Sequence, residues 1–98
     1  MENGDLSYEK EALSTAEAMS RLLKNADFNK IFVDGYLKDD LVFIGINISN
    51  VPTDSRQKQI DQMLARGIFK QYIDGIITTG VNAKQAIEEY EKYQEEAQ

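Results

Sequence analysis

The chain has 98 residues, of which 42% are hydrophobic and 29% are charged, and its formal net charge is −6. This length supports one hydrophobic core, so we predict a single domain over residues 1–98. The absence of cysteine and histidine excludes disulfides, zinc–thiolate sites, cysteine nucleophiles and the commonest general base. We therefore expect no cofactor, no bound metal, no catalytic residues and no enzymatic activity.

Negative charge is concentrated at the two ends of the chain. Residues 1–11 carry a net charge of −3 and residues 88–98 carry −4, whereas residues 12–87 carry +1. Lysine and arginine are neither in excess nor clustered, so we expect no direct binding to nucleic acid. No stretch approaches the length of a membrane span, and the N-terminus lacks the features of a signal peptide. We expect a cytoplasmic protein that does not contact membranes.

The N-terminal part of the sequence predicts two helices. Residues 1–6 are polar, and we expect them to be loosely ordered. A first helix is predicted from residue 7 or 14 to residue 24, because Ser14 and Glu17 form a capping box before apolar residues at helical spacing. Asp27 can cap a second, short helix that carries several aromatic side chains on one side.

Residues 41–48 admit two interpretations. Val42, Ile44 and Ile46 alternate with other residues, as in a half-buried strand. The competing pattern places Leu41 and Ile44 on one face of a helix. No second strand-forming run or hairpin turn is evident, and a lone strand is unstable. We therefore favour a helix, with a short strand as the alternative.

The longest apolar pattern at helical spacing covers residues 53–80 and predicts a central helix. Gly80 is predicted to end this helix, and Asn82 to cap a last helix that runs from residue 83 to about residue 95. We expect one broad stripe of apolar side chains to face the core: Ile60, Leu64, Ile68, Phe69, Tyr72, Ile73, Ile76 and Ile77.

These elements together predict an all-α protein, a small bundle of four to five helices around one core. Two groups of residues could in principle carry chemistry, one as a metal site and one as a nucleophile, but both are typical of ordinary structural roles. Asp34, Asp39 and Asp40 are the densest carboxylate group in the body of the chain, but they lack the spacing of a calcium loop and are typical of helix caps and first turns. The four residues from Ser7 to Lys10 match a Ser-x-x-Lys pattern without its companion motifs.

Two surfaces are candidate protein interfaces. Gly67, Gln71 and Gly75 share one face of the central helix, where small residues either permit close approach of another helix or, at Gly67, kink the helix into two pieces. The second candidate is the acidic C-terminal end, which bears tyrosines of the kind enriched in interfaces and finishes in the acidic residues 95–98. Its candidate residues are Glu88, Glu89, Tyr90, Glu91 and Tyr93.

The order of aromatic and glycine residues resembles that of short acidic proteins of tailed bacteriophages that are encoded near head and portal genes. The resemblance rests on a helix ending Leu22-Leu23, then Asp27-Phe28-x-Lys30-x-Phe32-x-x-Gly35-Tyr36-Leu37, then Gly67-x-Phe69-x-x-Tyr72, and a closing Ala86-Ile87-Glu88-Glu89. It implies a genomic setting, with a location in the host cytoplasm or in the virion.

Two functions fit these features. The first is a non-enzymatic protein-binding protein that acts as a phage structural or head-assembly accessory component and binds other proteins or a second copy of itself. The alternative is an acidic regulator that inhibits a nucleic-acid-binding enzyme by mimicking DNA.

Overall fold

The structure, a computed structural model, describes residues 6–97. Helices account for most of this part of the chain, and it contains no strand. The prediction of an all-α protein is therefore confirmed for the described residues. The elements in chain order are α1 (Ser7–Leu23), α2 (Ala26–Phe28), a π-helix (Asn29–Asp39), α3 (Asp40–Asn47), two 3-10 turns (Ile48–Asn50 and Thr53–Ser55) and α4 (Arg56–Ala97).

The prediction of a four- to five-helix bundle is wrong. In the described part of the chain, α2, the π-helix and α3 follow one another without a break, so three helical stretches are formed. Gly80 and Asn82, the predicted end and cap, both lie inside α4, which also runs through Gly67. A glycine inside a helix costs only about 1 kcal/mol relative to alanine. Favourable tertiary contacts at Gly80 can offset a cost of this size.

Residues 41–48 are helical, so the strand alternative is wrong. Leu41 to Asn47 belong to α3, and Ile48 begins a 3-10 turn. The Nδ2 atom of Asn47 donates a hydrogen bond of 2.8 Å to the backbone carbonyl of Phe43, one turn earlier in α3. The β-branched residues of this run form a helix because no second strand is available to pair with them.

The chain divides into two compact units. Unit 1 comprises residues 1–22 and 73–98, and unit 2 comprises residues 23–72. Whether the two units fold together as the single predicted domain stays a prediction. Leu6, the last residue of the predicted loosely ordered N-terminus, is buried, whereas residues 1–5 lie outside the described part of the chain. Residues 95–97 of the acidic end are exposed and belong to α4.

Close helix packing in unit 1 depends on Gly80. A Cβ atom on Gly80 would overlap the Cβ of Ala16 and would lie 3.6 Å from its Cα and 3.8 Å from the carbonyl oxygen of Ala12. Gly80 and the nearby Ala83 are buried. The two backbones can approach this closely only because position 80 has no side chain.

The less exposed residues of α4 follow a narrow seam. Their positions alternate in steps of three and four, which is the spacing of a coiled-coil seam. The seam consists of Gln59, Gln62, Arg66, Phe69, Ile73, Ile76, Gly80, Ala83, Ile87 and Tyr90, and three further residues beside it, Met63, Thr79 and Ala86, are also partly buried.

The predicted broad stripe is therefore only partly correct. Phe69, Ile73 and Ile76 belong to the seam. The other five predicted core residues are exposed: Ile60 by 40%, Leu64 by 59%, Ile68 by 66%, Tyr72 by 66% and Ile77 by 38%. At about 100° per residue the eight positions span roughly 260° of the helix surface. One neighbouring helix cannot cover so wide an arc.

Unit 2 is held together by a cluster of four aromatic rings. Phe28 stacks on Phe32 with ring centroids 5.1 Å apart, and Phe32 stacks on Phe69 of α4 at 6.2 Å. Tyr36 meets the same Phe69 ring edge-on at 5.7 Å. These separations lie in the range where aromatic pairs attract. Phe69 therefore joins α4 to the π-helix through two ring contacts.

Gly35 lies inside the π-helix, at a point where the turn is wider than in an α-helix. The backbone N–H of Asp40 donates to the carbonyl of Gly35, five residues earlier, as in π-helical geometry. A Cβ on Gly35 would lie only 3.1 Å from the carbonyl oxygen of Lys30. The helix continues through Gly35 although glycine weakens helices, and a larger residue at this position would be crowded against the Lys30 carbonyl.

Arg66 lies beside the aromatic cluster and is only 13% exposed. Its guanidinium carbon stands 4.3 Å from the centroid of the Tyr36 ring, and its Nη1 atom donates a hydrogen bond of 3.0 Å to the carbonyl of Gln62. Its Nη2 atom lies 3.5 Å from a carboxylate oxygen of Asp40, which is 56% exposed. The contact with Tyr36 is shielded from water, whereas the ion pair is not.

Arg66→Ala is expected to lower the free energy of unfolding by about 1–2 kcal/mol, because it removes the cation–π contact and the hydrogen bond. Asp40→Asn should change it by less than about 0.5 kcal/mol, since exposed ion pairs contribute little. Urea unfolding of both variants, followed by circular dichroism, measures the difference. Equal losses in the two variants would show that the ion pair matters as much as the ring contact.

Candidate protein interface

The predicted glycine face is exposed in the structure. Gly67, Gln71 and Gly75 are all accessible, and a Cβ added to either glycine would meet nothing within 4 Å. Close approach of another helix was one of the two alternatives for this face, and in unit 1 such an approach occurs at Gly80. The glycine positions remain candidate interface residues because open space surrounds them.

The acidic end of α4 forms an open surface in unit 1. Tyr90 is half-buried and Tyr93 is 68% exposed, while Glu88, Glu89 and Glu91 are exposed. Glu89, Tyr90 and Tyr93 line a shallow depression together with Ala86 and Gln94. A tyrosine edged by carboxylates is a surface that a basic partner segment could contact.

Sequence reasoning missed the apolar surface of unit 2. The α3 outer face consists of Val42, Phe43 and Ile46, which are exposed by 54%, 68% and 69%, together with the exposed Gly45. The α4 outer face consists of Ile60, Leu64 and Ile68. One signal was present in the sequence: residues 41–48 include no charged residue, so a helix there is apolar all round.

The two units differ strongly in charge. Unit 1 contains 11 acidic and 4 basic residues, for a net charge of −7. Unit 2 contains 6 acidic and 7 basic residues, for a net charge of +1. Unit 2 therefore presents apolar surface on a nearly neutral body, whereas unit 1 presents carboxylates.

Among residues 6–97, no group of three acidic side chains could hold a metal ion. Asp40, one of the three aspartates considered as a possible metal site, forms an ion pair with Arg66. Ser7 and Lys10 of the Ser-x-x-Lys match are both exposed. No helix in the described part of the chain has the length and apolar character needed to cross a membrane.

Comparison with known proteins gave no relative from which a function could be transferred. No family model, curated protein or solved structure matches this chain. The two outer faces and the acidic surface therefore have to be interpreted from their own chemistry.

Proposed function

We propose that this chain is a small, non-enzymatic protein-binding protein that acts as an accessory component of a larger assembly. One observation carries the proposal. Fourteen large hydrophobic side chains are exposed among the described residues, whereas the buried hydrophobic core consists of Leu6, Ile44, Ile73 and Ala83. Exposed apolar side chains that form contiguous patches mark binding surfaces in soluble proteins. The α3 and α4 outer faces are such groups within unit 2.

The assembly that we propose is a phage head or virion. This part of the proposal is supported by the resemblance in aromatic and glycine spacing to short phage proteins encoded near head and portal genes. A protein in that setting needs to bind a neighbour rather than to catalyse a reaction. Its proposed location is accordingly the host cytoplasm or the virion.

Affinity capture with the full chain as bait tests this proposal. A culture of the host producing the assembly is lysed, and the proteins retained by the wild-type chain are identified by mass spectrometry. The matched variant is Leu64→Glu/Ile68→Lys, which leaves the net charge unchanged and alters two exposed positions of the α4 outer face. We expect a specific partner to be retained by the wild-type chain and lost, or at least tenfold reduced, with the Leu64/Ile68 variant or its Phe43→Glu/Ile46→Lys counterpart on the α3 outer face.

The capture experiment also has an outcome that contradicts the proposal. If the wild-type chain and both variants retain the same background proteins in the same amounts, the outer faces do not bind a partner. Circular dichroism of each variant controls for folding. Exposed substitutions of this kind are expected to leave the helix content unchanged.

A second candidate function, the acidic regulator of a nucleic-acid-binding enzyme, is supported by a different observation. Carboxylates are concentrated in unit 1, which has a net charge of −7. Among them, Glu88, Glu89 and Glu91 are exposed near the C-terminal end of α4. Such a surface would compete with phosphates for a basic channel, and its affinity would fall as salt is raised. If replacing these three glutamates with glutamine leaves capture of a basic enzyme unchanged, this candidate fails.

A further inference from the structure

We propose that the π-helix is a conformational device that gives α3 two registers, with either Ile44 or Phe43 facing the interior of unit 2. The structure has the first register, in which Ile44 is buried and Phe43 is exposed. The second register forms when one wide turn of the π-helix closes to an α-helical turn and α3 advances by one residue. This exchange takes place within unit 2 and goes beyond the binding of a partner.

The π-helix contains more chain than an α-helix with the same number of turns. Its hydrogen bonds span five residues instead of four, so each wide turn holds about one residue more than an α-helical turn. In the last wide turn, the N–H of Asp40 donates to the carbonyl of Gly35. Most π-helical segments are single turns within α-helices and are frequent at functional sites. A π-helix that spans 11 residues, Asn29–Asp39, can therefore close one wide turn and remain helical.

Closure of the last wide turn has a defined effect on α3. The carbonyl of Gly35 accepts from the N–H of Asp39 in place of that of Asp40, which is the four-residue spacing of an α-helix. Every later residue of α3 then takes the position that the next residue holds now. Because one residue corresponds to about 100° around the helix axis, α3 turns by that angle. The stacked rings of Phe28 and Phe32 precede this turn and do not need to move.

The side chains of α3 suit both registers. Ile44 is 8% exposed, whereas Phe43 and Ile46 are exposed by 68% and 69%. The one-residue shift places Phe43 where Ile44 now lies, and Ile46 where the partly buried Asn47 now lies. Two large apolar side chains are thereby removed from water. In an ordinary amphipathic helix the same rotation would turn polar side chains inward, but α3 has no charged residue after Asp40.

The ion pair beside α3 is also compatible with both registers. Arg66 lies 3.5 Å from a carboxylate oxygen of Asp40 in the present register. In the second register Asp39 takes the position of Asp40, so an aspartate again faces the Arg66 guanidinium. The shift therefore exchanges one acidic partner for another and leaves the arginine paired.

One position favours the register that the structure has. Leu41 is partly buried, and the shift brings Asp40 into its place. Burial of a carboxylate costs free energy, so the second register is the less populated one. The link between α3 and α4 adds no such cost. It contains two 3-10 turns, and it gains one residue of slack when α3 advances toward it.

Thiol labelling of single-cysteine variants tests the proposal, since the chain has no cysteine of its own. In the present register a maleimide should label Phe43→Cys faster than Ile44→Cys, because only position 44 is buried. Adding Asp40→Leu removes the carboxylate that disfavours the second register. We then expect labelling to slow about tenfold at position 43 and to accelerate about tenfold at position 44, as the population shifts.

Two results would overturn the proposal. The first is that Asp40→Leu leaves both labelling rates unchanged. The second is that it raises both rates, because this would show local unfolding of α3 rather than rotation. Circular dichroism of each variant confirms that the helices are formed.

Deletion of the exposed Lys38 is the matched control. It removes the surplus residue itself, so the wide turn can close while α3 keeps its present register. In this shorter chain, Asp40→Leu should leave position 44 slow to label and position 43 fast. The same inversion of rates in the shorter chain would contradict a mechanism based on the wide turn.

A second measurement needs no substitution. Helix register shifts take microseconds to milliseconds, so ¹⁵N relaxation dispersion of the wild-type chain should detect exchange at residues 36–50 and none in α1. A flat profile at residues 36–50 would overturn the proposal.

The register exchange and the proposed protein binding can be separated by experiment. A chain whose labelling rates invert but which captures no partner supports the exchange and contradicts the binding function. A chain that captures a partner but shows no exchange contradicts the second register and leaves the binding function in place.

Discussion

Replacing Gly80 with alanine is expected to lower the free energy of unfolding by about 2 kcal/mol. The new methyl group would overlap the Cβ of Ala16, and the backbones of α1 and α4 would have to separate locally. Overpacking of this kind costs about 1–3 kcal/mol, occasionally more, and the higher helix propensity of alanine returns up to about 1 kcal/mol. The measurement is urea denaturation followed by circular dichroism.

Gly75→Ala is the matched control for this experiment. Gly75 lies in the same helix, but a Cβ there meets nothing within 4 Å. The same substitution should therefore raise the stability by about 0.5–1 kcal/mol, opposite in sign to the effect at Gly80. A Gly80→Ala protein as stable as the Gly75→Ala protein would show that close packing at Gly80 is absent.

A double variant identifies the cause. Ala16→Gly removes the methyl group that the new Cβ would overlap, so the Ala16→Gly/Gly80→Ala protein should lose less stability than the two single changes added together. We expect a coupling of about 1 kcal/mol or more in the double-mutant cycle. If the two changes in the free energy of unfolding simply add, Gly80→Ala destabilises the protein by a cause other than contact with Ala16.

Phe69→Ala is expected to have the largest effect, a loss of about 3–4 kcal/mol. The Phe69 ring contacts both Phe32 and Tyr36, at 6.2 Å and 5.7 Å between centroids. Its removal leaves a cavity and breaks two aromatic pairs. Because small domains are stable by only about 5–15 kcal/mol, the change should be evident as a lowered melting temperature.

The adjacent residue provides the control for Phe69. Ile68 is 66% exposed on the α4 outer face, so Ile68→Ala should change the stability of the monomer by no more than about 0.5 kcal/mol. The comparison is made at low protein concentration. Similar losses at positions 68 and 69 would mean that the broad apolar stripe faces inward, contrary to the narrow seam described here.

Local sequence signals predicted the helical character of this chain well. The apolar pattern indicated α1, although the helix begins at Ser7 and the predicted capping box at Ser14 lies inside it. The absence of a second β-rich run favoured a helix at residues 41–48, and this prediction is confirmed. Pro52, which cannot donate a backbone hydrogen bond, lies between the two 3-10 turns that separate α3 from α4. Such signals act between residues close in sequence, which is why they can be interpreted without knowing the tertiary contacts.

The wrong predictions of burial and helix ends have one cause. An apolar pattern predicts that a segment is helical, but it does not predict how much of the helix surface a neighbouring helix covers. Ile60, Leu64 and Ile68 were expected in the core but are exposed. Gly80 was expected to end a helix but lies within one, since a glycine can serve either as a terminator or as a point of close approach. The Gly67 and Gly75 face is open in the structure, so its role as a protein interface stays a prediction.

The sequence by itself determined that this chain is helical, acidic at its ends and without cysteine or histidine, because composition and short-range spacing suffice for these properties. Only the tertiary structure decided that Gly80 packs against Ala16 and that Phe69 joins the aromatic cluster. It also decided that α3 is left apolar on its outer side. These outcomes depend on which faces of distant segments meet, and no short-range preference specifies that.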